Sequence, residues 1–463
     1  MPSMYESAFG REKLKRMLIS GCRWLISGCR GLVIWLAGSA AFADFESMQS
    51  EVQADYDDRL SALFEHFHAN PELSFVEFKT AARIADELQS LGFEVHRGIG
   101  GTGVVALLAN GPGPLVMMRA DMDGLPVKEA TGLSYASQVE QETVDGQLMP
   151  VMHACGHDVH ITSLLGTALY MKNHRDDWSG TLMLLAQPAE EWKTSGAAAM
   201  KQDGVWAKFG TPDYALAFHV AAEIEAGKLY ASEGAAYSAV DSIDITVPGV
   251  GAHGASPHRG KDPVVIASQI VLALQTIVAR ELSPREPGVV TVGVFRAGNK
   301  RNVIGESAKL ELTVRSDSVE TRAKLLSAIE RIAVNTGRAA GLPEDRLPVV
   351  EVVGGVPVTA NNPALASRVN DAWRTMLGDT YMTTYEREGM GGEDFPFFTQ
   401  DPYIPSVYFS VGGTPPESFA REASGGAPVP SHHSPIFQID PEPAITSGVM
   451  GTVTALQAIF DQR

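Results

Sequence analysis

Nine residues, Met152–His160 (MHACGHDVH), bring a thiol, three imidazoles and a carboxylate into one short stretch. His153, Cys155, His157, Asp158 and His160 cannot all face one point, so only a subset can share a ligand. Cys155 and His157 stand two apart, close enough to approach one ion from a sharply bent loop. Ile161, Leu164, Leu165, Ala168 and Leu169 follow with helical spacing, which predicts a helix fed by that loop. A thiolate with imidazoles suits a divalent metal, and a loop–helix junction suits a site better than a core. The spacing alone leaves a redox thiol or packed histidines open as well.

Other chemically capable residues fall at the ends of apolar runs. Leu115–Met118 leads into RADMDGLP (Arg119–Pro126), which contains Asp123. Thr181–Ala186 leads into QPAEE (Gln187–Glu191), whose adjacent carboxylates Glu190 and Glu191 point different ways, so one can ligate while the other accepts a proton. Tyr214–Val220 carries His219 near its end. Ser406–Val411 leads through the loop Gly412–Pro430 to Ser431-His432-His433-Ser434-Pro435. Acidic residues just past a buried strand occupy the usual functional rim of an open α/β sheet. Asp123, Cys155, His157, Glu190, Glu191, His219 and His433 together suit two divalent ions about 3.5–4 Å apart, which polarise a carbonyl and acidify water. A spare carboxylate then moves the proton to a leaving amine. The competing reading is ordinary acidic and histidine decoration of an α/β protein. No serine-hydrolase elbow, phosphate loop or nucleotide fingerprint is present, and Gly101-x-Gly103 is too short to count.

The elements that must position these groups are also visible. A chain of 463 residues predicts two or more domains. The formal charge of −18, with no basic stripe, argues against a nucleic-acid partner. Six basic residues, the apolar run Leu32–Leu36 and Ala41-Phe42-Ala43 predict a signal peptide over 1–43, and therefore export to the periplasm or outside the cell. A retained anchor is the alternative, but the apolar run is short for a span. Cleavage removes six basic and two acidic side chains, taking the charge from −18 to −22, and leaves Cys155 as the lone thiol. Helical periodicity covers about Tyr56–Phe67. Ser74 and Glu77 have capping-box spacing before a second helix, and Gly92 stands as its C-cap. From Ser242 an alternating pattern opens a βαββαβ run, closed by Val349–Val353, which predicts a compact α+β unit inserted in the larger domain. The final helix runs from Pro441 to about Phe460.

The motifs HANPELSFVE, RADMDGLP, MHACGHDVH, QPAEE, FHV, GAHGASPH, RNVIG, GGEDF and HSP, spread over about residues 56–460, resemble the binuclear-metal amidohydrolase and carboxypeptidase family. That family includes aminoacylases, hippurate hydrolases, N-acetyldiaminopimelate deacetylases and plant auxin-conjugate hydrolases. The resemblance implies a zinc-peptidase-like α/β catalytic domain (50–238 and 355–463) interrupted by a ferredoxin-like satellite (239–354), which often mediates a homodimer or higher oligomer. It further implies Cys155, His157, Glu191, His219 and His433 as metal ligands, Glu190 as general base and Asp123 as its supporting acid. His253 would reach a neighbouring subunit's site to stabilise an oxyanion, and Asn302 and Arg315 would hold the substrate carboxylate. The cofactor is then two divalent ions (manganese, zinc, nickel or cobalt), and the substrate an N-acyl amino acid or a peptide-like amide with a free carboxylate. A dipeptidase or carboxypeptidase, and an exported metal-dependent binding protein without catalysis, are the alternatives. After cleavage no stable membrane association is expected. His432 departs from the family pattern, which has an apolar residue before HSP, and Glu140–Pro150 is a longer link than usual.

Overall fold

The computed structural model describes residues 44–192, 195–385 and 387–461, so the expected leader, 1–43, lies outside them. Helical backbone covers 44–69, longer than the periodicity implies, with one π-type turn at Tyr56–Leu60 before α1 (Ser61–Ala69). The strands of the two main sheets, in chain order, are β1 (Glu94–Ile99), β2 (Gly103–Asn110), β3 (Leu115–Asp121), β4 (Gly180–Gln187), β5 (Tyr214–Glu225), β6 (Leu229–Tyr230), β7 (Ala239–Pro248), β8 (Gly288–Ala297), β9 (Ser307–Ser316), β10 (Val349–Val356) and β11 (Ser406–Thr414). The main helices after α1 are α2 (Phe78–Ser90), α3 (His157–Asn173), α4 (Pro263–Thr276), α5 (Val319–Ala339), α6 (Pro363–Met376) and α7 (Pro441–Phe460).

The large sheet has the order β1-β2-β4-β3-β5-β11-β6. Its centre, β4-β3-β5-β11, is parallel, and antiparallel pairs close both edges. A parallel sheet is covered on both faces, which is why β3 and β4 read as continuous apolar runs. Val116, Met118, Leu182 and Leu184 enter the core shared with α1, α3 and α7. Met117, Met183, Leu185, Ala215 and Ala217 enter a second core with Phe395, Phe398 and Tyr408. The same two-residue alternation puts Arg119, Asp121, Gln187 and His219 on that second face, at the sheet's C-terminal rim. Helix α7 is long and apolar enough to cross a membrane, but most of it is buried, so its apolarity is that of a core helix.

The inserted sheet has the order β8-β9-β7-β10 and is antiparallel throughout. Its element order, β7-α4-β8-β9-α5-β10, is the βαββαβ run read from the sequence, extended to Val356. Ile243, Ile245, Val247, Leu310, Leu312 and Val314 face α4 and α5, giving this unit a core of its own.

Two local expectations change. Helix α2 ends as expected at Gly92, whose φ of +87° suits a residue without Cβ. Its start is not a Ser74–Glu77 capping box. Glu72 Oε2 accepts from the Lys79 and Thr80 amides at 2.8 and 2.7 Å, which releases Ser74 and Glu77 for the site below. His219 is not at a strand end either, since β5 continues to Glu225. It sits at the rim because the pairing with β3 stops at Ala217.

Candidate metal centre

The Cys155 loop turns into α3 through Gly156, with φ +83°, where a Cβ would lie 2.2 Å from Val220 Cγ1. Only glycine fits there, and the turn sets Cys155 and His157 on either side of it. The hydrogen bonds of each imidazole then assign its free nitrogen. His157 Nδ1 donates to the Asp123 carbonyl oxygen at 2.8 Å, while its buried Nε2 has no hydrogen-bond partner. His219 Nδ1 donates to its neighbour Val220 O at 2.7 Å and turns Nε2 toward Cys155 Sγ, 3.4 Å away. His160 differs. Its Nε2 accepts from the Val220 amide at 2.9 Å and its Nδ1 meets Asp121, so it has no free lone pair despite lying beside His157.

Glu190 and Glu191 are held by their backbones. Their amides each donate to the Asp123 carboxylate at 3.1 Å, and the Ser74 hydroxyl adds a third bond at 2.6 Å. Glu77 accepts from the Ala189 amide at 2.8 Å and from the Thr102 hydroxyl. Ala189 and His433 adopt φ of +50° and +65°, sparsely populated for residues with a Cβ, so surrounding structure must hold both. The His433 amide donates to Ala154 O at 2.8 Å, tying the last loop to the Cys155 loop. His433 Nε2 forms an ion pair with the buried Glu191 Oε1 at 3.0 Å.

Of five groupings among the described residues whose ligand atoms lie mutually within 4.8 Å, three include Cys155 or Glu191: Cys155 with Glu191 and His433, His157 with Glu190 and Glu191, and Cys155 with His219 and His432. All five expected ligands are therefore gathered around Cys155 and Glu191. The electrostatics show a site short of positive charge. Burial first, then Glu191, Glu190 and Asp121, pushes the Cys155 thiol well up. Burial, then Glu393 and Glu191, pushes Glu190 well above the carboxylate range. Burial alone would lower His157, but Asp121 and Asp123 raise it to about 10. Cations would relieve all three, displacing protons as they bind. A buried His157 Nε2 that makes no hydrogen bond, and a mixed sulfur, nitrogen and oxygen donor set, fit two divalent ions without choosing among zinc, cobalt, nickel and manganese.

Beneath this rim lies a buried ionic cluster that motif spacing does not disclose. Arg119 reaches Glu393 at 2.8 Å, Asp394 at 3.2 Å, Asp121, and Gln187 Oε1 at 2.8 Å. Burial, then Glu393, pushes Asp394 up to about 8. Glu393 and Asp394 also group with Glu190, so GGEDF borders the site from below. The signals in the sequence were the acidic pair of GGEDF, able to orient ligands, and an arginine at the end of an apolar strand, which has to be paired if buried. His432, next to a ligand candidate, also enters the site. Among the described residues, no hydrogen bond or ion pair joins His253, Asn302 or Arg315 to the ligand groups. His253 is exposed on a two-residue strand paired with Val303–Ile304, and the carbonyl of exposed Asn302 accepts from Gly254 N. Arg315, on β9, donates to Met390 O at 2.7 Å.

The profile of Peptidase family M20/M25/M40 matches residues 117–424. The chain is 37% identical over 336 residues to hippurate hydrolase of Campylobacter jejuni, covering 72% of this chain and 83% of that one. It is 32% identical over 392 residues to thermostable carboxypeptidase 2 of Saccharolobus solfataricus, covering 84% and 92%. Among solved structures, the Bacillus subtilis protein YxeP, described as a dinuclear metal-binding peptidase of family M20, superposes with a TM-score of 0.70 at 26% identity, covering 87% of this chain and 98% of that one. The chain belongs to the M20 family, and is a metal-dependent hydrolase of the amidohydrolase and peptidase type with a binuclear candidate site.

Proposed function

We propose that this enzyme hydrolyses the amide bond of N-acyl amino acids or related amides that carry a free carboxylate. The observation that carries the reading is the meeting of candidate ligand atoms around Cys155 and Glu191, with Glu190 beside them. Cys155, His157, Glu191, His219 and His433 would hold the two ions, which when bound polarise the scissile carbonyl and acidify the attacking water. Glu190 takes the proton of that water and delivers it to the leaving amine. It stands between the ligand groups and the Glu393–Asp394 pair, within reach of a water held at the ions. Asp123 acts as a positioning residue, because its carboxylate is already filled by Ser74 and the amides of Glu190 and Glu191.

His253 Nδ1 accepts from the Ala255 amide at 3.0 Å, which leaves a proton on Nε2, the tautomer suited to donating to an oxyanion. A second copy of the chain would supply that imidazole, with Asn302 and Arg315 toward the substrate carboxylate. Hippurate is itself an N-acylated glycine, so the relative that acts on it favours the acyl reading. The carboxypeptidase relative favours a second one, in which the acyl part is a peptide. Metal-free protein reconstituted with one ion at a time and offered N-acyl amino acids, N-blocked peptides and free dipeptides separates these readings. Cleavage of N-acyl amino acids is expected, and turnover confined to free dipeptides would overturn the proposal.

A further inference from the structure

His432 is the imidazole at the centre that the hydrolytic reading leaves without a task. It is largely buried, and Nδ1 lies 3.9 Å from Cys155 Sγ. With His219 it completes a cysteine–histidine–histidine grouping that looks like an extra set of metal ligands. The other ring nitrogen decides against that. His432 Nε2 accepts from the backbone amide of Ala222 at 3.2 Å, so its lone pair is used and the ring proton of the neutral form sits on Nδ1. Glu223 Oε2, at 4.0 Å from the same Nε2, is too far to reverse this assignment. Val220 and Ala222 alternate along β5, and each hands its amide hydrogen to an imidazole, His160 in one case and His432 in the other.

The ring is also held in orientation. It lies against Phe437, with ring centroids 4.8 Å apart and planes tilted by 34°, and meets His219 edge-on at 5.2 Å. His219 itself presents a free Nε2 to Cys155 because its Nδ1 is bound to Val220 O. The two imidazoles therefore face one sulfur with opposite characters, one a lone pair and the other an N–H.

We propose that His432 is a positioning residue that donates an Nδ1–H···S hydrogen bond to the Cys155 thiolate and is not a metal ligand. This rests on the reading of Cys155 as a ligand. A thiolate holding an ion has lone pairs left over and lies in a buried pocket lined by carboxylates. A neutral donor there stabilises sulfur charge without competing for the ion, and it fixes the direction in which the sulfur points.

The test uses the full-length protein loaded with cobalt(II), whose sulfur-to-cobalt charge-transfer band reports the energy of the sulfur lone pairs. Donation of a hydrogen bond lowers those electrons in energy, so His432→Leu should move the band to longer wavelength. Cobalt content should stay at the wild-type value. His432→Gln, which keeps an N–H at about the same reach, should return the band toward the wild-type position. It also serves as the folding control, since it avoids an apolar side chain facing the Ala222 amide. An unmoved band in both variants overturns the proposal. So does loss of bound cobalt, or a change in the intensity of the metal-centred bands that marks a missing ligand. A wild-type protein that binds cobalt with no sulfur band at all would instead overturn the assignment of Cys155, while N-acyl hydrolysis by the same sample would leave the substrate reading standing.

Discussion

The opposite tasks proposed for the adjacent Glu190 and Glu191 give the sharpest expectations at the level of single residues. Glu190→Gln keeps size and packing but cannot accept a proton, so it should retain both ions while kcat falls by about 10²–10⁴-fold. Glu191→Gln should instead weaken ion binding, with partial rescue by excess metal. Cys155→Ala should lose an ion together with activity, because one change removes a charge and a coordination bond. Kinetics and metal content must come from the same samples, and full activity in fully loaded Glu190→Gln would place the base elsewhere. The candidate ligands were legible in the chain because each is a chemically distinctive residue in a loop beside an apolar run or near the end of one. The difference between His157, His160 and His432 was not. A histidine's task depends on what its second nitrogen bonds, and the partners Asp123 O, Val220 N and Ala222 N are backbone atoms brought there by the fold.

Elements position those groups through a few joints that can be tested one at a time. Gly156→Ala places a Cβ in left-handed backbone, costing roughly 1–2 kcal/mol, and drives it to 2.2 Å from Val220 Cγ1. Gly132 has a similar φ of +79° with nothing within 4 Å of a Cβ, so Gly132→Ala should show the backbone cost alone in denaturant unfolding. Ion loss in Gly156→Ala but not in Gly132→Ala would locate the added damage at the Cys155 turn. A second joint is His68 on α1, whose Nδ1 and Nε2 meet Asp158 at 2.7 Å and Glu129 at 3.1 Å. Burial alone would lower this ring, yet hydrogen bonds to Asp158 and Glu129 raise it to about 10. A raised folded value means stabilisation that is complete below the unfolded value of about 6.5 and is lost as pH rises toward 10. The stability gap between wild type and His68→Gln should therefore shrink over that window. A gap that stays constant would mean the ring is neutral. Helix and strand periods were readable because burial imposes them. The α2 cap was misread because Ser74 and Glu77 satisfy a local pattern while their partners Asp123, Thr102 and Ala189 are distant in sequence.

For the whole molecule, the decisive feature is that the candidate ligand groups come from four separate segments, at 155–157, 190–191, 219 and 433, while the inserted sheet has its own core. An ion that binds the folded arrangement and not the unfolded chain stabilises it by mass action, by about 4 kcal/mol when free ion is a thousand times its Kd. That stabilisation acts where the segments meet: the C-terminal ends of β3 to β5, the start of α3 and the His433 loop. Strands β7, β9 and β10 pair among themselves and pack on α4 and α5, and none of them carries a candidate ligand; their link toward the site is the Arg315 bond to Met390 O. Chelation should consequently lower the thermal transition of the wild-type protein and speed amide exchange around Cys155, Glu190 and His433, while exchange in β7, β9 and β10 stays unchanged. In Cys155→Ala the chelator should produce a smaller shift, because one ion is already missing. Equal acceleration across both sheets would mean that the inserted unit draws its stability from the catalytic body. If chelation moved neither the transition nor the exchange, the ions would not be linking these segments.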